Sequence, residues 1–102
     1  MKYRVVLQWP ASSVNDYEGT VDVEDLLIEK LTEQSEVDGH DFGSNQANIF
    51  IYTDDPRRAF EEMRTILSGH RVWPHARIAY RPLDGTKSSV IWPPGYTTFN
   101  VS

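Results

Sequence analysis

Cysteine is missing from all 102 residues. No disulfide can staple this fold, and no thiolate can serve as nucleophile or metal ligand. Long apolar runs are missing too, since none approaches the ~20 residues of a membrane-spanning helix. Positive charge is scarce: ten Lys and Arg stand against fifteen Asp and Glu, a formal net charge of −5. An acidic domain repels phosphate backbones, so general nucleic-acid binding is disfavoured, while a basic partner is admitted by the same argument. The opening residues Met1-Lys2-Tyr3-Arg4-Val5-Val6-Leu7 are too short and too quickly polar for a secretory signal. With the missing cysteine, this favours the cytoplasm. There is no phosphate-binding glycine loop, no Gly-x-Ser-x-Gly elbow and no His-Glu-x-x-His helix. No cofactor is implied.

What remains is a lean but globular chain. A chain this short buries about two-thirds of its unfolded surface, enough for one modest core. A single domain over 1–102 is expected. Tyr3, Val5, Leu7 and Trp9 alternate with Lys2, Arg4, Val6 and Gln8, the period-two pattern of a half-buried strand. Pro10 ends it, and 11–19 reads as a loop. A helix is expected next, with Asp22 as N-cap, Asp25 in its first turn and Val21 and Leu26 as a hydrophobic staple. Val23, Leu27 and Leu31, with Ile28, would form its apolar stripe. Residues 36–53 read as a hairpin, with a polar edge arm at 37–42, a turn at 43–46 and a central arm at 47–53. Asp55 then caps a second helix with Pro56 in its first turn and an apolar stripe of Ala59, Phe60, Met63, Ile66 and Leu67, stopped by Gly69. Ala76, Ile78 and Tyr80 alternate in a further strand, 83–86 is a turn, and Ser89 to Trp92 is a fifth strand.

The order β-α-β-β-α-β(-β) is best buried by two helices on one face of an antiparallel sheet. The fold class expected is α+β: a ferredoxin-like βαββαβ sandwich with an extra C-terminal strand and tail. Tyr3, Val5, Leu7, Ile49 and Ile51 would face the helices. Arg4, Val6, Gln8, Asn48, Phe50, Tyr52, Arg77 and Arg81 would be displayed on the other face. The tail, with Tyr96 and Phe99, is expected to pack on this chain or on a partner.

Two constellations could carry function. Asp38-Gly39-His40-Asp41 is the densest polar cluster, and on a regular strand Asp38 and His40 share a face. Such a pair could bind a divalent metal or work as acid and base, although no complete ligand set is visible. The plainer account makes the aspartates turn-formers and His40 a polar edge residue. Asp54-Asp55-Pro56 is explained as a helix start, and His70 and His75 as solvated loop residues. The second constellation is Phe50 and Tyr52 on the helix-free face, beside Arg81. Aromatics there could stack single-stranded RNA bases. The segment 47–53 lacks the glycine-bearing motif of RNA recognition modules, and a covered face, by a second subunit, by the fifth strand or by the tail, is favoured. That covering motivates a homodimer. Trp9, Trp73 and Trp92 each precede a proline and are placed to close the rim of the core. The segment Trp92-Pro93-Pro94-Gly95-Tyr96 could alternatively be read by a polyproline-binding partner.

The stretch from Asp38-Gly39-His40-Asp41-Phe42-Gly43 through Asn48-Ile49-Phe50-Ile51-Tyr52-Thr53 to Asp54-Asp55-Pro56, with Ala79-Tyr80-Arg81-Pro82-Leu83-Asp84-Gly85, resembles a pattern in small uncharacterised bacterial α+β proteins. Some proteins of this size and acidity are immunity proteins against secreted toxins. The resemblance implies a bacterial binding protein and transfers no catalytic residue. The expected function is a non-enzymatic protein-interaction module, with His40, Asp41, Phe50, Tyr52 and Arg81 as candidate binding residues. The alternatives are a small metal-dependent enzyme using Asp38 and His40, and a single-strand RNA-binding module.

Overall fold

The computed structural model describes residues 1–11 and 14–95. The elements run β1 (Tyr3–Pro10), α1 (Val14–Lys30), β2 (Ser35–Gly43), β3 (Gln46–Thr53), α2 (Pro56–Leu67), a short 3-10 turn (Trp73–His75), β4 (Arg77–Pro82) and β5 (Ser89–Trp92). The strands form one five-stranded sheet in the order β2-β3-β1-β4-β5, antiparallel at every step. The fold is therefore α+β, with the first strand in the middle of the sheet. Among the described residues no helix is long and apolar enough to cross a membrane. The tail beyond Gly95, including Tyr96 and Phe99, lies outside the described residues.

Alternation along the central strands decides which side is sealed. Val5, Leu7, Ile49, Ile51 and Ile78 project to one face and meet Val23 and Leu27 of α1 and Ala59, Phe60, Met63 and Leu67 of α2 in a single buried cluster. Both helices thus cover the same face. Glu62 joins the two helix layers: its carboxylate accepts from Thr32 N–H at 2.9 Å, just past the end of α1, and from Arg58 Nε at 3.4 Å. Trp9 is 5% exposed, while half-buried Trp73 and Trp92 stack 5.7 Å apart beside Phe60. The tryptophans stand at the core's rim.

Local rules explain the sharpest boundaries. Asp55 has extended backbone and its carboxylate accepts from Arg58 N–H at 3.1 Å, capping α2 ahead of Pro56. Ser44 and Asn45 both have positive φ, 52° and 63°, as a two-residue hairpin turn between right-twisted strands requires.

Two expectations are corrected. Helix α1 starts at Val14, not at Asp22, so the 11–19 loop is largely helical and the proposed staple lies inside the helix. Tertiary contacts override the loop-forming residues here. Tyr17 packs edge-on against Phe42 at 5.4 Å, and Thr20 is fully buried with its hydroxyl donating to Asp16 O at 2.9 Å. The earlier start also fixes the helix phase: Thr20, Val23 and Leu27 point inward, and Ile28 is 60% exposed and outside the stripe.

Candidate functional site

The face without helices is laid out by strand register. In one row Glu36, Tyr52, Arg4 and Arg81 stand side by side across β2, β3, β1 and β4. The next row holds Gly39, Phe50, Val6, Ala79 and Val90. A third holds Asp41, Asn48, Gln8 and Arg77. Acids lie at the β2 edge and guanidinium groups on β1 and β4.

Arg4 is the centre of the first row. Its guanidinium carbon sits 4.9 Å from the Phe50 ring centroid, a cation–π contact. Its Nε is buried and has no hydrogen-bond partner among the described residues. Burial, and then the neighbouring Arg81 guanidinium, hold the Arg4 guanidinium below its ordinary value, while Tyr52 and Asp38 pull it back up. Arg81 is fastened from below, because its Nη1 donates to Gly85 O at 2.8 Å and to Pro82 O at 3.4 Å. Like charges directly opposite one another destabilise a strand pair. The sheet carries this arginine pair at some cost.

The third row has a buried polar centre between its exposed ends Asp41 and Arg77. Gln8 Nε2 donates to Asn48 Oδ1 at 2.9 Å and to Gln46 Oε1 at 3.2 Å. Asn48 is fully buried, and its Nδ2 lacks an acceptor. A buried donor left unpaired costs about 1–3 kcal/mol. Val6, Gln8 and Asn48 were expected to be displayed on this face; they are instead its buried floor, at 6%, 5% and 0% exposure. Phe50, Tyr52, Arg4 and Arg81 are half-buried around them.

The Asp38–His40 pair does not share a face. The ladder passes from Val37 opposite Ile51 to Gly39 opposite Phe50, so Asp38 is an inserted bulge residue. Gly39 adopts φ 149°, a backbone conformation that residues with a Cβ rarely take. One inserted residue inverts every side chain beyond it. His40 consequently pairs with Ile49 on the helix side, while Asp38 remains within electrostatic reach of Arg4. The His40 ring N–H at Nδ1 donates to Glu24 Oε2 at 2.9 Å, and Tyr17 packs edge-on against the ring at 5.9 Å. These contacts anchor β2 to α1. Among the described residues there is no group of three or more His, Asp or Glu able to hold a metal ion.

Of the five residues singled out from sequence, Asp41, Phe50, Tyr52 and Arg81 share the helix-free face, and His40 is on the other. Arg4 and Asn48 were placed on this face by alternation, but nothing in their sequence context marked them as a half-buried cation with a buried Nε and a fully buried amide. Glu24 was missed as the partner of His40 because strict alternation does not reveal the bulge that turns His40 toward α1. What the face offers chemically is recognition: planar cations, aromatic rings and an amide donor. Comparison with protein-family models, curated proteins and solved structures found no match to this chain.

Proposed function

We propose that this chain is a non-enzymatic interaction module that receives a basic protein on the side formed by α1 and β2. The carrying observation is charge segregation. Ten of the fifteen carboxylates fall between residues 16 and 41, a span containing one Lys or Arg, Lys30. That span holds nine net negative charges, and the rest of the chain four net positive. It comprises most of α1 and β2, which the His40–Glu24 bond and the Tyr17–Phe42 contact hold together. Asp22, Asp25 and Glu29 are exposed there, as is Ile28. A single-sign surface of this kind steers an oppositely charged partner and sets its orientation. An immunity protein facing a basic secreted toxin in bacterial cytoplasm is one form this role takes, in keeping with the sequence resemblance. For the scaffold we favour the ferredoxin-like βαββαβ reading, with β5 added beside β4. The order β2-β3-β1-β4 and the helices on one face support it.

The test is affinity capture from the native host with the full chain and with the triple variant Asp22→Lys/Asp25→Lys/Glu29→Lys. The wild type should retain a specific protein of high isoelectric point, released by raised salt, and the variant should lose it. Equal retention by both, or no retention by the wild type, overturns the reading.

A further inference from the structure

We propose that the helix-free sheet face is a self-complementary interface, on which a second copy of this chain docks about a two-fold axis parallel to the strands. The occupant follows from where the charges stand. On this face Glu36 and Asp41 lie on β2, whereas Arg4 and Arg81 lie on β1 and β4. Identical faces laid together with their strands aligned are related by an axis across the strands or along them. The first sets β2 on β2 and β4 on β4, acid against acid and arginine against arginine. The second, running between β3 and β1, sets β2 over β4 and β3 over β1 of the other copy. Only the second pairs opposite charges.

In that arrangement Glu36 meets Arg81 of the second copy, and Arg81 meets its Glu36. Tyr52 meets Arg4 of the second copy, and Phe50 meets its Val6. Glu36 is exposed, while Arg4, Arg81, Phe50 and Tyr52 are half-buried, so each has surface left to contribute. The dimer brings a carboxylate over Arg81, which on its own row is three strands away from Glu36 and directly beside Arg4. A closed isologous pair is also the commonest symmetric assembly. The area is modest: the four strands that overlap, about 4.8 Å apart and roughly 25 Å long, give a face of roughly 480 Å², below the ~800 Å² per partner of standard interfaces. A reversible dimer follows, dissociating on dilution and weakening with salt. The two surfaces share the acids of β2, but the basic-partner reading is tested at Asp22, Asp25 and Glu29 on α1 and this one at Glu36 and Arg81, so the two can fail independently.

Sedimentation equilibrium of the full chain at low salt, over a concentration series into the hundreds of micromolar, tests the assembly. The wild type is expected to self-associate. Glu36→Arg and Arg81→Glu should each weaken association at least tenfold. Because Arg81 also holds the 82–85 turn, the decisive measurement is the mixture of the two single variants. In a heterodimer of E36R with R81E both cross-face pairs carry opposite charge again, so mixing should restore the dimer that neither variant forms alone. The double variant Glu36→Arg/Arg81→Glu should likewise recover it. A wild type that stays monomeric throughout, single variants that dimerise as well as the wild type, or a mixture that stays monomeric overturns the proposal.

Discussion

Replacing Gly19 by Ala should stabilise this protein, although the added methyl collides with a neighbour. Gly19 lies inside α1 and is buried. A Cβ built there falls 2.8 Å from Arg71 Nη2 and 3.9 Å from Arg71 Cζ, the described atoms outside its own helical turn that come within 4 Å. The obstacle is the far end of a flexible, exposed side chain. Rotating it away costs at most about 0.5 kcal/mol, the low end of what an imperfect rotamer costs. Against this, Gly in a helix interior is about 1 kcal/mol worse than Ala, mainly through unfolded-state entropy. The balance is a gain of about 0.5–1 kcal/mol, or a melting temperature higher by roughly 2–8 °C for a domain this size. Thermal and urea unfolding followed by circular dichroism would measure it. A loss of 1 kcal/mol or more would refute the reasoning and mean that the guanidinium seat over Gly19 itself stabilises the fold.

Three further variants separate the other local rules. Asp55→Ala removes the acceptor of Arg58 N–H and should cost about 1 kcal/mol in urea unfolding; no change would mean the cap is idle. Ser44→Asn with Asn45→Gly suits a turn in which both residues have positive φ, and should add about 0.5–1 kcal/mol in the same assay. Gly39→Ala should cost about 1–3 kcal/mol, because φ 149° is strained for any residue with a Cβ even though the space around it is open; a neutral result would show that the bulge relaxes freely.

Much of the architecture was legible because hydrophobic period follows geometry. Val5, Leu7, Ile49 and Ile51 alternate because a strand buries every second residue, and all four are fully buried. Helix α2 carried cap, proline and stripe together, so local and global signals agreed. Helix α1 was misread where they conflicted. Asn15, Gly19 and the residues before them favour a loop, yet the contact of Tyr17 with Phe42 and the complete burial of Thr20 hold the segment in the helix. No local pattern reveals contacts made with residues twenty or more positions away.

The same limit explains the site, and there a single residue decides it. Strict alternation puts Asp38 and His40 together and Asp41 opposite them, the arrangement that would suit a metal or an acid–base pair. The bulge at Asp38, eased by a glycine in an unusual conformation, reverses the strand beyond it. His40 and Phe42 turn inward to Glu24 and Tyr17, and Asp41 turns out to the face that carries the arginines. One inserted residue thereby converts a catalytic-looking cluster into two separate devices. One is a clamp between β2 and α1; the other is an acidic margin on a sheet face whose opposite side is cationic. The acidic margin gives that face its polarity, and without the bulge His40 would occupy the place of Asp41. Glu36 precedes the bulge and keeps its place in the row with Tyr52, Arg4 and Arg81. The acids on the β2 edge are therefore contributed from both sides of the inserted residue, and the charge pattern of the face follows from strand register together with that one insertion.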